Sequence, residues 1–229
     1  SGFLMADPRI VKDPKPISSI SYKELRELSY MGASVLHEDA IYPARVANIP
    51  INIRNTNKPE DPGTIITANP SGHEDGQIIS GIAGSKDFTV IGIYKNLMSG
   101  ERGFIRRLTA ILEDNDMSIE HIPSGIDTLS VVLSNETLDG KLDEILDEFD
   151  RQLKPDHIEV FEDVALIATV GAGMSYRPGV SAKLFSALAE AGVNIRMIDQ
   201  GSSEMNIIIG VENKDFETAI RAIYDVFVV

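Results

Sequence analysis

Two loops in the second half of the sequence, residues 98–103 and 174–179, combine features that can bind a carboxylate. Each loop lies between a predicted strand and a predicted helix, where free backbone N–H groups and the helix dipole favour a negative charge. The turns at residues 123–127 and 200–204 end near these loops in such a fold and supply small polar side chains. Backbone N–H groups that bind a carboxylate, opposite small polar side chains, form a site that suits a free amino acid. Ordinary helix caps and hairpin turns are the alternative, which composition alone leaves open.

The composition disfavours several other kinds of chemistry. The sequence has no cysteine, which excludes disulfides, zinc thiolate sites, iron–sulfur clusters and cysteine nucleophiles. The net charge of −14 disfavours binding to nucleic acid or to an anionic membrane surface. No apolar run is long enough to cross a membrane, and together these features fit a cytoplasmic protein.

Three further patterns favour structural interpretations. The Gly171-Ala-Gly173 motif follows a strand and precedes a helix, but Tyr176 stands where a dinucleotide-binding fingerprint requires its third glycine. The side chains of the contiguous segment His37-Glu-Asp39 cannot converge on one metal ion, so we predict no metal site. The sequence also shows no recognisable Ser/His/Asp catalytic arrangement. Acidic residues at 136–163 alternate with an apolar stripe, which is typical of a solvated helix face.

An internal repeat provides the elements that position the two loops. A shift of 76 residues superposes two stretches of more than forty residues without a gap. Met98 falls on Met174, Gly103 falls on Gly179, and residues 131–133 fall on residues 207–209. Chance similarity rarely keeps one register over such a length, so we interpret the two stretches as copies of one module.

Each copy predicts the order strand–helix–strand–strand–helix–strand. β-branched and aromatic runs indicate the strands, and apolar residues at helical spacing indicate the helices. The first copy has predicted strands at residues 88–94, 117–122, 129–133 and 157–161 and helices at 104–112 and 138–149. The second begins at residue 165 and has predicted helices at 180–188 and 216–227 and strands at 194–198 and 205–211. This order predicts two tandem ferredoxin-like modules, an α+β fold.

The first eighty residues do not match the repeat. Ser21 and Glu24 form a capping box that predicts a helix as far as Tyr30. A second helix at residues 33–46, strands at 51–54 and 63–66, and a polar linker at 69–76 are predicted to follow. So few elements cannot easily close a core, which indicates the end of a larger domain. We predict boundaries at 1–76, 77–163 and 164–229, and leave open which sheet takes residues 78–82.

At these residues the chain resembles aspartokinase. The paired ACT domains of that family are matched by residues 104–108, 123–127, 179–185 and 194–206, and the Gln-Gly-Ser-Ser-Glu segment at 200–204 is specific. The end of its amino-acid-kinase domain is matched by residues 2–9, 21–25, 32–37 and 50–64. The resemblance covers essentially the whole chain. It implies an α+β protein with two ferredoxin-like ACT domains preceded by the C-terminal piece of an α/β amino-acid-kinase domain.

The resemblance also implies a function. Intact aspartokinase transfers the γ-phosphoryl group of MgATP to the β-carboxylate of L-aspartate, on the route to lysine, threonine and methionine, and end products inhibit it through the ACT domains. The family's catalytic lysine lies upstream, so this chain is expected to hold no catalytic residue, to bind no cofactor and to be inactive alone. Asp7 and Arg9 match the nucleotide-side loop, whereas Ser34 replaces a lysine that many members carry near the ATP phosphates.

We place the effector site in the first module. Backbone N–H groups of residues 98–103 are expected to bind the α-carboxylate of lysine or threonine, and in the resembling family an acidic residue at the Glu120 position faces bound lysine. By the 76-residue shift, Arg196 takes the place of Glu120 in the second module, which makes the first module the better lysine site. The first site comprises Met98, Ser99, Gly103, Phe104, Ile119, Glu120, Ser124, Gly125 and Asp127, and the second-site candidates are Gln200, Ser202, Ser203, Glu204 and Asn206.

The expected partners are an amino-acid effector, lysine or threonine or both, and a second copy of the chain paired through the ACT domains, without nucleic acid or membrane. Two alternatives are a free-standing ACT protein that binds amino acids without kinase activity, and a ferredoxin-like interaction module without a small ligand. The first eighty residues argue against the free-standing protein, because they do not belong to an ACT module.

Overall fold

The chain forms two compact units. The computed structural model describes residues 2–32, 38–70 and 77–228, so the predicted helix start at 33–37, with Ser34 and His37, and linker residues 71–76 lie outside the described residues. The discontinuous unit consists of Ser1–Ser85 and Leu166–Val229, and the inserted unit consists of Lys86–Ala165. Among the helices that the structure describes, none is long and apolar enough to cross a membrane.

The discontinuous unit begins with a small sheet and two helices. Its first elements are β1 (Ser19–Ser21), α1 (Tyr22–Tyr30), α2 (Glu38–Val46), β2 (Ile51–Ile53) and β3 (Thr64–Thr67). Strand β3 lies in the centre, parallel to β1 and antiparallel to β2. The predicted capping box is confirmed, because Ser21 Oγ accepts from the Glu24 N–H at 3.2 Å and Glu24 Oε2 accepts from the Ser21 N–H at 3.0 Å.

The inserted unit packs helices on one sheet. Its elements are β4 (Gly81–Tyr94), α3 (Phe104–Asp114), β5 (Thr128–Ser134), α4 (Asn135–Leu138), α5 (Leu142–Leu153) and β6 (His157–Val170), of which β4 and β6 have their other halves in the discontinuous unit. The strand order is β5-β4-β6, with β4 and β5 antiparallel. Leu108 of α3 and Phe149 of α5 are fully buried in its core. This core fixes the start of α3, where the first predicted loop ends.

The second sheet of the discontinuous unit includes the first part of β4, residues 81–85. Its later elements are α6 (Val180–Glu190), β7 (Met197–Asp199), β8 (Asn206–Glu212) and α7 (Phe216–Val228), and its strand order is β4-β6-β8-β7. Residues 81–85 of β4 belong to this unit, and the Ser80 N–H just before them donates to the Val170 carbonyl at 2.7 Å. Of the segment 78–82, which the sequence left unassigned, Gly81 and Ile82 therefore join the second sheet, whereas residues 78–80 precede the strand.

The prediction of a strand at residues 117–122 is wrong. The structure has only an isolated bridge there, between His121 and Val132, with the Glu120 N–H bonded to the Val132 carbonyl at 3.0 Å. Asp116 precedes the segment in the left-handed region, with φ of 56°. Pro123 follows the bridge and has no N–H to donate, so the pairing resumes only as a second isolated bridge, between Ser124 and Leu129. The β-branched residues alone were therefore a poor guide to strand length.

Two other predicted elements have different boundaries. The helix expected at 138–149 is divided into α4 and α5, because Asp139 and Gly140 adopt left-handed backbone with φ of 40° and 77°. The strand expected to close the first module and the one expected to open the second at residue 165 are a single strand, β6. Asp163 within it has φ of 57°, so the strand carries a local irregularity at this point.

The repeat is not free of gaps. The Glu120 N–H donates to the Val132 carbonyl, and the Arg196 N–H donates to the Gly210 carbonyl, so the donors lie 76 residues apart and the acceptors 78. The second copy therefore has two extra residues in the turn between these strands. The gapless alignment concealed the difference because a slip of two residues keeps every strand side chain on the same face, and residues 207–209 are all isoleucine.

Candidate functional site

A cavity of about 240 Å³ lies in the inserted unit at the start of α3. It is lined by Met98, Ser99, Glu101, Gly103, Phe104, Ile105, Arg106, Ser124, Gly125 and Leu129. Six predicted first-site residues are among them, whereas Ile119, Glu120 and Asp127 lie outside this lining. The structure thus brings the 98–103 loop and the turn after residue 123 to one opening.

Asp127 braces the loop of the first cavity. Its Oδ1 accepts from the Leu97 N–H at 2.9 Å, and its carbonyl accepts from the Lys95 N–H at 2.9 Å. The neighbouring Ile126 carbonyl accepts from the Ser99 N–H at 3.1 Å. These bonds fix the loop against the turn. They also commit the carboxylate of Asp127, one of the predicted first-site residues, to the backbone.

The first turn of α3 presents N–H groups to the cavity. Gly103 caps the helix in the left-handed region, with φ of 76°, and its carbonyl accepts from the Arg107 N–H at 3.0 Å. Within the part of the chain that the structure describes, no acceptor meets the N–H groups of Ile105 and Arg106, which precede the helix's own ladder. Both residues line the cavity, so a carboxylate there can accept from these groups.

A cluster of three charges borders the first cavity. Glu101 Oε2 lies 2.7 Å from Lys95 Nζ, and the other oxygen pairs with Arg107. The hydrogen bond from Lys95 is the main cause of a lowered pKa at Glu101. The Lys95 ammonium also lies 5.5 Å from the centre of the Phe104 ring. Sequence reasoning missed Glu101, and the only available signal was its position inside the predicted loop.

A second cavity, of about 470 Å³, lies at the start of α6 in the discontinuous unit. Its lining consists of Met174, Arg177, Pro178, Gly179, Val180, Ser181, Ala182, Gln200, Gly201, Ser202 and Glu204. The candidates Gln200, Ser202 and Glu204 are included, whereas Ser203 and Asn206 lie outside this lining. The loop again bonds to the turn, because the Tyr176 N–H donates to Glu204 Oε2 at 2.7 Å.

The two candidates outside the second lining have other contacts. The Ser203 carbonyl accepts from Ser175 Oγ at 2.9 Å, which ties the turn to the loop. Asn206 Nδ2 donates to Glu27 Oε2 of α1 at 2.6 Å. The arginine that replaces Glu120, Arg196, pairs with Glu212 at 2.6 Å. In the second copy, therefore, Asn206 bonds to helix α1 and the cation pairs with a carboxylate of β8.

The glycines at residues 171 and 173 are explained by backbone packing. A Cβ atom on Gly171 would lie 2.5 Å from the Ile78 carbonyl oxygen, and one on Gly173 would lie 2.5 Å from the Gln77 carbonyl oxygen. Any side chain would push the loop away from residues 77–80. The motif thus serves a tight structural contact, in agreement with the preferred interpretation of the sequence.

The residues assigned to the nucleotide side form an ion pair. Arg9 Nε and Nη2 donate to Asp7 Oδ1 and Oδ2 at 3.0 and 2.6 Å, and the hydrogen bond from Arg9 lowers the pKa of Asp7. Arg9 is exposed and its guanidinium is therefore accessible at the surface. Among the described residues there is no group of three or more acidic or histidine side chains that could hold a metal ion.

Comparison with known proteins finds similarity along the whole chain. The amino acid kinase family model matches residues 1–55, and an ACT domain model matches residues 167–227. Aspartokinase 3 of Bacillus subtilis (strain 168) is 40% identical over 222 residues, which are 96% of this chain and 48% of the relative.

Solved structures give the same result. The aspartate kinase of Clostridium acetobutylicum superposes with a TM-score of 0.95 at 57% identity, over 99% of this chain and 52% of that one. E. coli aspartokinase III, in complex with lysine and aspartate, superposes with a TM-score of 0.81 at 27% identity, over 100% of this chain and 50% of that one. The chain spans about half the length of these relatives. It is thus homologous to aspartokinases along nearly its whole length, and its α+β fold joins the end of an amino-acid-kinase domain to ferredoxin-like ACT domains.

Proposed function

We propose that this chain is the regulatory portion of an aspartokinase. An end-product amino acid would bind the ACT folds and control phosphorylation of the β-carboxylate of L-aspartate by MgATP in the whole protein. The observation that carries the proposal is the first cavity, where the N–H groups of Ile105 and Arg106 open onto a space of small-molecule size. The homology to aspartokinases supports it, as does the lysine complex of E. coli aspartokinase III.

The charges around the first cavity favour a carboxylate ligand. Glu101 is flanked by Lys95 and Arg107, so this cluster of two cations and one anion carries a net positive charge. This charge and the dipole of α3 act in the same direction. Ser124 adds a polar residue to the lining of the cavity.

The proposed ligand of the first cavity is L-lysine. Its α-carboxylate would accept from the N–H groups of α3, and Glu120 would face its cationic end, as expected from the resemblance. Glu120 is half-buried beside the bridge to Val132, on the segment that leads to the turn. The second cavity differs from the first in volume and has Arg177 in its lining, so we propose that it takes a different amino acid. L-Threonine is the candidate because it is the other effector expected from the resemblance.

Assembly and location belong to the same proposal. We propose a cytoplasmic homodimer that forms through the ACT folds. Strand β5 is an outer strand in the inserted unit and β7 is an outer strand in the discontinuous unit, and an outer strand offers N–H and carbonyl groups that a second copy can cover. The side chains of Leu97 and Ile126, beside the first cavity, are 82% and 75% exposed, which supplies apolar surface for such a contact. The domain boundaries at residues 76 and 163 also remain a proposal.

Calorimetry of the 229-residue chain with L-lysine, L-threonine and L-methionine tests the proposal. L-Lysine is expected to bind, and L-lysinamide, which lacks the carboxylate, is the matched control that should bind about tenfold or more weakly. Absence of binding heat for all three amino acids would contradict the regulatory function. The chain alone should also transfer no phosphate from MgATP to L-aspartate, because the resemblance assigns the catalytic lysine to a segment outside it.

A further inference from the structure

Glu24 is the most deeply buried carboxylate of the described residues, and its role exceeds the helix cap that the sequence predicts. The side chain is 0% exposed. Its Oε2 accepts from the Ser21 N–H at 3.0 Å and from Ser21 Oγ at 2.5 Å. Its Oε1 accepts from Ser80 Oγ at 2.6 Å and from the Ala172 N–H at 2.8 Å. One carboxylate thus joins three separate segments of the discontinuous unit.

The bonds to Glu24 outweigh the cost of burying it. Burial acts to raise the pKa of a carboxyl group, because it penalises the charged form. The bonds from Ser21, Ser80 and Ala172 act in the opposite direction, and the pKa of Glu24 lies below its ordinary value. The charged form is therefore the one that the fold stabilises. Loss of either side leaves a buried anion with unsatisfied oxygen, so the two sides depend on each other.

Ala172 connects Glu24 to the second cavity. Residues Ala172–Met174 form one short 3-10 turn, and Met174 lines that cavity. On the other edge, Asn206 follows the turn that contributes Gln200, Ser202 and Glu204 to the lining, and it donates to Glu27 of α1 at 2.6 Å. Helix α1 lies in the segment that matches the amino acid kinase family. Ala172 and Asn206, which lie close in the chain to the two lining segments, are therefore both hydrogen-bonded to this helix.

The first cavity has a different connection at the equivalent position. By the 76-residue shift, Asn96 corresponds to Ala172, and the Asn96 N–H donates to Asp156 Oδ2 at 2.7 Å. Both of these residues belong to the inserted unit. The equivalent N–H group thus bonds to a residue of the repeated module in the first copy, and in the second copy to α1, which lies outside the repeat.

We propose that Glu24 is a positioning residue that couples the loop of the second cavity to helix α1 of the kinase segment. A ligand that displaces residues 172–174 weakens the bond on Oε1, and through the shared carboxylate it loosens the first turn of α1. A ligand that holds the loop in place strengthens both. This inference deepens the proposed function and rests on it for the ligand, whereas the coupling itself is measurable without one.

Hydrogen exchange measured by NMR on the 229-residue chain tests the coupling. The Ser21 and Ala172 N–H groups donate to opposite oxygens of Glu24, so their exchange rates report on the two sides separately. In Glu24→Gln the side chain offers an acceptor on only one side. Coupling predicts that both amides exchange about 10- to 100-fold faster. The matched control is Glu217→Gln, because Glu217 forms an exposed ion pair with Arg221 in the same unit. This variant should leave both exchange rates unchanged.

Ser80→Ala keeps the test usable if Glu24→Gln does not fold. This variant removes one donor from Oε1 alone, so a faster exchange at Ser21 requires transmission through the carboxylate. Acceleration at both amides supports the coupling. Acceleration at one amide only, or at neither, overturns it.

A ligand arm separates this inference from the proposed function. With saturating L-threonine or L-lysine, the exchange of the α1 amides should change in the wild type, and Glu24→Gln should keep the binding heat but lose that change. A wild-type response that persists in Glu24→Gln overturns the coupling. If neither amino acid gives binding heat, the proposed function fails, and the ligand-free exchange rates still decide the coupling.

Discussion

The two cavities come from one repeated module, yet they differ in volume, in charge and in what holds their loops. Both lie at a helix that starts after a left-handed glycine, Gly103 with φ of 76° and Gly179 with φ of 90°. The second is about 470 Å³ against 240 Å³, and its turn is two residues longer. The duplication has thus kept the helix start that follows a left-handed glycine, while the turn beside the cavity has diverged in length.

The anchoring of the loops differs as well. In the first copy, Asp127 and Asp156 accept from the loop backbone, and both belong to the inserted unit. In the second copy, Glu204 accepts from the loop, and Glu24 of the kinase segment accepts from Ala172. The loop of the first cavity is thus anchored by residues of its own module, whereas the loop of the second is also anchored by a residue of the segment that matches the amino acid kinase family.

The largest expected effects separate the two cores. Leu108 and Leu184 are equivalent by the repeat and are both fully buried. Leu108→Ala and Leu184→Ala should each lower the free energy of unfolding by about 2–5 kcal/mol, because each leaves a cavity in a packed core. Urea denaturation followed by NMR should show the first variant acting mainly on residues 86–165 and the second mainly on the discontinuous unit. Equal loss across both units in both variants would contradict two separate cores.

The next effect concerns the opposite charges of Glu120 and Arg196, which occupy equivalent positions in the two copies. If Glu120 faces the cationic end of lysine, Glu120→Ala should weaken lysine binding by about 10- to 100-fold, the value of a charge-assisted hydrogen bond of about 1.5–3 kcal/mol. Arg196→Ala should do much less, because Arg196 pairs with Glu212. Calorimetry measures both. Unchanged affinity in Glu120→Ala together with lost binding in Arg196→Ala would place the lysine site in the second copy.

Gly171→Ala tests the backbone packing that supports the second loop. The added methyl group would lie 2.5 Å from the Ile78 carbonyl oxygen, so the variant should lose about 1–3 kcal/mol of unfolding free energy through overpacking. Gly201→Ala is the matched control in the same unit, because its added methyl group meets nothing within 4 Å. Thermal denaturation of the two variants compares them directly. Equal midpoints would show that the loop can move away from residues 77–80 without cost.

The smallest effect is a pH dependence. The pKa of Glu24 is lowered in the folded state, so its stabilising contribution is present above the ordinary value of 4.5 and is lost as the pH falls through the folded value. The free energy of unfolding of the discontinuous unit should therefore decrease on acidification, and less steeply in Glu24→Gln. Urea denaturation at several pH values measures this. Glu101 also has a lowered pKa, but solvent screens its exposed pair, so Glu101→Gln should alter the slope less.

Local patterns in the sequence predicted the repeat, the helices around Leu108 and Leu184, the capping box and the two loops that line the cavities. These features depend on residues close together in the chain. The strand at 117–122 was predicted wrongly because β-branched residues do not reveal that its pairing with β5 is reduced to isolated bridges on either side of Pro123. The two-residue slip was concealed because it preserves the buried face of β8.

Long-range contacts were beyond the reach of the sequence. The Glu24 side chain bonds to Ser80 and Ala172, 56 and 148 residues away, and nothing in the capping-box pattern indicates these partners. Asn206 was expected at a ligand and instead donates to Glu27, 179 residues away. Such contacts depend on how distant segments pack, which periodicity and motif spacing do not encode.

The most direct test of the account is an NMR titration of the 229-residue chain with L-lysine. Chemical-shift changes should concentrate at the backbone amides of residues 98–106 and of Ser124 and Gly125, with the largest at Ile105 and Arg106, which present N–H groups to the first cavity. Glu120→Ala should require a higher lysine concentration for the same shifts. Changes confined to residues 174–182 and 200–204, or no changes at all, would contradict the claim that the first cavity is the lysine site.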